Sequence, residues 1–211
     1  MPIITQHQGL STYAIWRIEE SEAWFLEQLQ LSAAEQAQLE TIKGWRRMEW
    51  LAVRQLVAAL VPGEERAMLV KDEYGKPHLH NSPLQVSISH SHQLAAAMVG
   101  EKVLGIDIQQ IVEKIGRLAP RFLSSRELAF IHPAEHHIAH LHVCWCAKEA
   151  LYKAYGKREI DFCEHLLLDA FDYQTAGGSF QGRVVKDEFE ATFELQYSDF
   201  EDCMLVTANI V

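Results

Sequence analysis

The middle of the chain constrains the fold most. Residues 84–111 hold three strand-length apolar runs in close succession, "LQVSISH", "QLAAAMVG" and "VLGIDIQQI". Gaps of hairpin size separate them, so they read as neighbouring strands. Helical patterns flank this block. Upstream, Ser21 opens a short helix containing Trp24, Phe25 and Leu29. "SAAE" at Ser32 to Glu35 is a capping box, in which each side chain satisfies an orphan amide of a helix start. It predicts one long helix to Leu60, ended by Pro62-Gly63, with Trp45, Arg46, Arg47, Glu49, Trp50, Arg54 and Leu56 inside it. Downstream, Ser124 to Glu127 forms a second capping box. Pro133 suits the first turn of a helix reaching Tyr155, with Gly156 just past its end. "TYAIWRI" near the start reads as a strand, and "AMLVKDEYGKPHLH" as a strand running into a turn. "EHLLLDA", "SFQGRVV", "FEATFELQY" and "CMLVTANIV" add strands in the last quarter. The order strand, helices, strands, helices, strands is α+β. A seam near residue 103 divides the chain into 1–103 and 104–211.

Composition narrows the function classes. The chain has 211 residues, 48% apolar and 23% charged, as expected of a soluble globular protein. The longest apolar runs are far too short to span a bilayer. "MPIITQHQGL" lacks a basic segment followed by an apolar one, so no signal peptide is expected and the compartment reads as cytoplasmic. Cys144, Cys146, Cys163 and Cys203 are too few and scattered for a disulfide framework and read as reduced thiols. A net charge of −10 argues against a nucleic-acid surface. Residues 1–158 balance 17 basic against 17 acidic side chains, whereas residues 159–211 carry 2 against 12. The excess therefore reads as a solvated sheet face.

Two stretches carry chemistry. In "VLGIDIQQI", alternation sets Asp107 and Gln109 opposite Leu104, Ile106 and Ile108. An acid in so apolar a strand requires a partner, and Gly105 leaves room beside it. Taken alone, a helix cap or an Arg partner accounts for it. In "LHVCWCAKEALYKAYGK", Trp145, Glu149 and Lys153 recur every four residues, with Tyr152 close by. Glu before Lys is the favourable order for a surface pair, about 0.2–0.5 kcal/mol, and alone that suffices. Together the stretches specify more. A strand Asp and a helix Glu can converge on a hard dication such as Mg²⁺. That ion takes one or two carboxylates plus substrate phosphates and keeps several waters. A Lys one turn beyond the Glu can then meet a phosphate oxygen.

"GIDIQ" followed by "WCAKEALYK" resembles the signature of the 4′-phosphopantetheinyl transferases, Gly-x-Asp-x-Glu and then Trp-x-x-Lys-Glu-x-x-x-Lys. The second half matches fully at Trp145, Lys148, Glu149 and Lys153. Three further pieces are similar to the larger, surfactin-type branch. "YGKPHL" resembles the loop holding the adenine end of coenzyme A, which implies roles for Tyr74, Gly75, Lys76 and Pro77. "SISHS" resembles the strand whose His contacts the 3′-phosphate, implicating His90 with Ser89 beside it. "RFLSSREL" resembles the segment between the two motifs. Five matches in family order make the resemblance specific.

The resemblance implies two similar α/β halves related by a pseudo-twofold, with the active site between them, in a monomer. It implies Mg²⁺-dependent transfer of 4′-phosphopantetheine from coenzyme A to a serine of an acyl- or peptidyl-carrier protein, with Mn²⁺ a substitute ion. Asp107 and Glu149 are the implied metal ligands, and Asp107, Glu149 and Lys153 the catalytic set. Gln109 stands where the family has a second acid. As a neutral amide it is either a third ligand or the holder of a water. A coenzyme A- or carrier-binding protein with weakened turnover is the alternative that this departure supports. Arg47 and Arg54, two turns apart on one helix face, either reach the phosphates or pair with Glu49 or Glu40. Arg117, Arg121 and Arg126, with Phe122 and Leu123 as apolar contacts, are the expected surface for an acidic carrier. His132, His136 and His140 repeat every four residues and are expected to form a solvent-facing stripe rather than a metal site.

Overall fold

The computed structural model describes residues 3–8, 11–61, 63, 65–131 and 136–211. The first half runs β1 (Ile3–Gln8), β2 (Ser11–Arg17), α1 (Glu22–Leu29), α2 (Ala33–Thr41) and α3 (Arg46–Leu60). A short hairpin, β3 (Leu69–Lys71) and β4 (Pro77–Leu79), leads to β5 (Gln85–Ser91) and β6 (Leu94–Gly100). The second half opens with β7 (Leu104–Gln110), α4 (Ile115–Leu118), a 3-10 turn, α5 (Ser125–Leu128) and α6 (His137–Tyr155). It closes with β8 (Leu166–Leu168), β9 (Gly178–Lys186), β10 (Phe189–Phe200) and β11 (Cys203–Ile210). The fold is α+β.

Two antiparallel sheets follow, ordered β1-β2-β6-β5 and β7-β11-β10-β9-β8. Side-chain alternation gives each two working faces. On β6, Ala95, Ala97 and Val99 pack with Leu51, Leu56 and Val57 of α3. Leu94, Ala96 and Met98 turn the other way and meet Ile106, Ile108 and Leu205 of the second sheet. On β11, Met204, Val206 and Ala208 pack under α6 with Ala147, Ala150 and Leu151. The two sheets thus bury a core between them, with α3 outside one and α6 outside the other.

The seam has a second component. β7 is an edge strand of its sheet, and an edge strand presents a row of backbone groups without a partner strand. Three serines of β5 take that row. Ser87, Ser89 and Ser91 accept the N–H groups of Ile106, Ile108 and Gln110 at 3.1, 3.2 and 2.9 Å. At the far side of the seam, Ser11 Oγ donates to Asn209 Oδ1 at 2.8 Å, and Arg17 pairs with Glu201.

Both capping boxes form at Ser32 and Ser124. The helix expected from the first box to Leu60 is instead two helices. β-Branched Thr41 and Ile42 end α2, and Gly44 turns the chain at φ +63°. Arg47 then donates to the carbonyls of Leu39 and Ile42 at 2.6 and 3.1 Å, which holds the break. Pro62, expected to end that helix, lies outside the described residues, as do His132 and Pro133. α6 starts at His137, after His136 at φ +64°. It ends at Gly156, φ +73°, where expected.

Of the histidine stripe, His136 is exposed as expected and His132 lies outside the described residues, but His140 turns inward. His140 is 1% exposed, among the rings of Phe130, Phe171 and Tyr173 from the segments that wrap over α6. Two residues on, His142 Nε2 accepts the Val112 N–H at 3.2 Å. The ring therefore carries its proton on Nδ1, which donates to Ile138 O at 2.9 Å. Among the described residues no three His, Cys, Asp or Glu side chains group to hold a metal. The C-terminal acids behave as the charge pattern predicts: all are exposed except Asp169. No helix among the described residues is long and apolar enough to cross a membrane.

Two predictions follow from how α6 is held. A Cβ on Gly105 would lie 2.0 Å from Ala150 O and 3.2 Å from Ala154 N, so the backbone of α6 rests directly on β7. Gly105→Ala must push the helix away, and urea denaturation is expected to register a loss of about 1–3 kcal/mol. An unchanged midpoint would contradict this packing. Burial holds the His142 pKa below its ordinary 6.5, with Glu113 acting weakly the other way. The stability tied to the neutral ring is complete above 6.5 and is lost as pH falls through the lower folded value. His142→Phe should therefore show a smaller fall in thermal midpoint than the native chain between about pH 7 and 5. Parallel pH curves would refute the assignment.

Candidate active site

Asp107 points from β7 toward α6. Its Oδ1 accepts from Ser89 Oγ at 2.8 Å and from Lys153 Nζ at 2.7 Å. Lys153 Nζ also donates to Ile106 O at 3.0 Å. The Asp107 Oδ2 is buried and has no hydrogen-bond partner among the described residues. Glu149, one helical turn before Lys153, is pushed up to about 7, chiefly by burial and then by the negative charge of Asp107, with Lys153 opposing. No Glu149–Lys153 ion pair is present among the described residues; Lys153 pairs with Asp107 instead. The Glu–Lys spacing on α6 is therefore not a surface salt bridge. The lysine is bonded to Asp107 and not to Glu149, and one Asp107 oxygen stands buried and open. A hard dication that brings substrate oxygens and waters suits such a set. Cys146, fully buried beside Asp107, is held well above the ordinary thiol range by burial and by that acid.

A cavity of about 440 Å³ opens beside this cluster. Tyr74, Gly75, Lys76 and Pro77 of the β3–β4 hairpin form one wall, and Asp107, Tyr152, Lys153 and Gly156 another. Ser89 and His90 of β5 line it between. Glu149 and Gln109 lie outside that lining, Gln109 partly exposed further along β7. Lys76 crosses the cavity mouth. Its Nζ donates to Ala154 O at 2.7 Å, and its methylenes fill the space that a Cβ on Gly156 would occupy. Burial lowers its pKa. Gly75 makes the hairpin turn at φ +91°.

A larger cleft of about 880 Å³ adjoins it and shares Lys71, Pro77, Ile88 and His90. Lys43, Arg46 and Arg54 bring positive charge to this cleft. His90 Nδ1 lies 3.2 Å from Glu49 Oε1. Arg54 is buried, its Cζ 3.2 Å over the Trp50 ring and its Nε 3.5 Å from Glu35 Oε1; burial brings it down to about 10. Glu35 also pairs with Arg66. Arg47 is not at either cavity. It forms a two-pronged pair with Glu22 at 3.0 and 2.5 Å, on top of its bonds to α2. The expected partners Glu49 and Glu40 are thus replaced by Glu22 for Arg47 and Glu35 for Arg54.

Lys148, inside the helix motif, is a scaffold residue. It is fully buried and donates to Glu127 Oε1 at 2.6 Å, to Phe162 O at 2.8 Å and to Leu166 O. Glu127 in turn accepts from Leu168 N at 2.9 Å and closes the capping box at Ser124. The motif Trp145 packs edge-on to Phe122 at 5.0 Å and stacks near Phe162 at 5.9 Å. Phe122 and Leu123 are each 2% exposed, so they are core rather than surface contacts. Trp145 draws Phe122 inward. Arg117, Arg121 and Arg126 are exposed, and the apolar side chains that surface beside them are Leu118 and Leu128. Sequence reading missed the three-serine seam, although the Ser-x-Ser-x-Ser alternation in "SISHS" carried the signal.

Residues 103–203, which include β7, α6 and most of the second sheet, match the model of the 4′-phosphopantetheinyl transferase superfamily. Over this stretch the chain is similar to that superfamily. It is 28% identical over 111 residues to 4′-phosphopantetheinyl transferase gsp of Aneurinibacillus migulanus, a stretch covering 52% of this chain and 46% of that protein. It is 34% identical over 89 residues to a 4′-phosphopantetheinyl transferase of Bacillus subtilis, covering 40% of this chain and 39% of the relative. The matched stretches thus span less than half the length of either relative.

The scaffold role of Lys148 is testable. Lys148→Met leaves Glu127 buried without its cation, and such a broken pair costs about 3–5 kcal/mol. Chemical denaturation should record a loss of that order; a loss under about 1 kcal/mol, typical of a surface pair, would place the lysine's contribution elsewhere.

Proposed function

We propose that the protein transfers 4′-phosphopantetheine from coenzyme A to a serine hydroxyl of an acyl- or peptidyl-carrier protein, releasing adenosine 3′,5′-bisphosphate. The reading includes Mg²⁺, with Mn²⁺ as substitute, and a monomer of the surfactin-type branch acting in the cytoplasm. Residues 1–103 would hold the nucleotide end and residues 104–211 the reacting end. One observation carries it. Asp107, held through one oxygen by Ser89 and Lys153, lines a cavity together with that lysine, and its other oxygen is buried without a hydrogen-bond partner among the described residues.

The residues divide the work as follows. Asp107 and Glu149 hold the dication, with Gln109 as third ligand or holder of a water. The ion, when bound, supplies charge neutralisation at diphosphate oxygens. Lys153 sits within reach of both Asp107 and the cavity, and its ammonium neutralises the transferring phosphate. Glu149 can take the serine proton directly or through a water. Lys76 and His90 meet the 3′-phosphate, and Tyr74, Gly75, Pro77 and Ser89 frame the adenine end. Arg54 supports this pocket from the adjoining cleft, whereas the commitment of Arg47 to Glu22 argues against a phosphate contact for it. Arg117, Arg121 and Arg126, with Leu118 and Leu128, suit an acidic carrier. Such pairing acts mainly on the association rate.

The test is direct. Incubated with apo carrier, coenzyme A and Mg²⁺, the protein should add about 340 Da to the carrier, the mass of the arm with its phosphate. Asp107→Ala is expected to lower turnover by about 10²–10³-fold. Lys76→Ala and His90→Ala should raise the KM for coenzyme A far more than that for the carrier. No mass gain on either a fatty-acid or a peptide-synthetase carrier would sink the reading.

A further inference from the structure

We propose that Ser89 is a positioning residue for Asp107, fixing which carboxylate oxygen is left to meet the cation. The proposal rests on the metal-dependent reading above. Ser89 is buried, and its hydroxyl is engaged twice. The oxygen accepts the Ile108 N–H at 3.2 Å, so the hydroxyl proton is free to go to Asp107 Oδ1 at 2.8 Å. Lys153 Nζ reaches the same Oδ1 at 2.7 Å. Two donors therefore hold Oδ1, one from each half of the molecule, while Oδ2 is buried with no partner among the described residues. Rotation of the carboxylate would break both bonds at once. The acid is thus presented through Oδ2, with its position referred to β5 as well as to β7.

The neighbouring serines provide an internal comparison. Ser91 accepts the Gln110 N–H at 2.9 Å, as Ser89 does from Ile108, but among the described residues it bonds no carboxylate. Ser91 therefore reports on the seam alone, and Ser89 on the seam plus the acid. Groups that orient a metal ligand typically contribute about 10–100-fold to metal affinity.

The experiment uses the full chain with saturating coenzyme A and no carrier, titrated with Mn²⁺, the free ion being read by electron paramagnetic resonance. Ser89→Ala is expected to weaken Mn²⁺ binding about 10–100-fold. Ser91→Ala should stay within about twofold of the native chain, and Ser89→Thr, which keeps the hydroxyl, should recover most of the loss. If Ser89→Ala does not fold, Ser89→Cys keeps the packing with a much weaker donor and carries the same comparison. Native-like Mn²⁺ affinity in Ser89→Ala overturns the proposal and leaves the metal reading standing. So does a Ser91→Ala loss as large as that of Ser89→Ala, which would assign the effect to the seam. A separate control addresses the reading beneath it. Equal Mn²⁺ binding by the native chain and Asp107→Asn would remove the metal from this acid altogether, and the role of Ser89 with it.

Discussion

The arrangement depends on how an edge strand is closed. β7 pairs with β11 on one side only, and its other row of N–H groups would ordinarily attract water or a further strand. Three alternate serines of β5 meet it instead. Hydroxyls, unlike a paired strand, join two sheets without merging them, so a cavity survives beside the joint. They also fix register. Alternation puts the hydroxyls of Ser87, Ser89 and Ser91 toward β7, at the edge of the cavity, and turns Ile88 and His90 toward the larger cleft. A slip by one residue would exchange the two sets and leave both the seam and the cavity without their side chains.

With β7 fixed, α6 has to approach it closely, and two features bring it there. Gly105 lets the helix backbone rest on the strand at Ala150 and Ala154. Lys148 anchors the far side of the helix to Glu127 and to the carbonyls of Phe162 and Leu166. Glu149 and Lys153 then have no choice but to share space with Asp107. Burial and the nearby Asp107 charge raise Glu149, and Lys153, bonded to Asp107, offsets only part of that. The same closeness that makes the site electrostatically strained in isolation makes it suited to an added positive ion.

Much of this was legible in the sequence, for physical reasons that can be named. Capping boxes are local, and both appear where Ser32 and Ser124 predict them. Strand alternation is local too, and it sets Asp107 opposite the apolar face of β7. What escaped depends on neighbours remote in the chain. Nothing near His140 in sequence tells of Phe171 and Tyr173 closing over it. Phe122 looks like a surface contact until Trp145 is packed against it. The break between α2 and α3 was half visible in Ile42 and Gly44, but the guanidinium that holds it open comes from Arg47. Ser-x-Ser-x-Ser was read for its histidine, because a hydroxyl ladder has meaning only when another strand's amides stand opposite.

The cations of the first half add a final constraint. Four of them have an internal partner: Arg47 with Glu22, Arg54 with Glu35, His90 with Glu49, and Lys76 with the Ala154 carbonyl. The two tightest are structural. Arg47 caps a helix, and Arg54 is buried over Trp50 beside the Glu35–Arg66 pair. The other two differ in kind. His90 is half exposed against Glu49, a contact that solvent screens. Lys76 faces a carbonyl at the end of α6, a dipole rather than a full charge. An anion entering the cavity competes poorly for Arg47 and Arg54 and well for His90 and Lys76. Selection among these four therefore comes from what each would have to give up, and the two that give up least both line the smaller cavity.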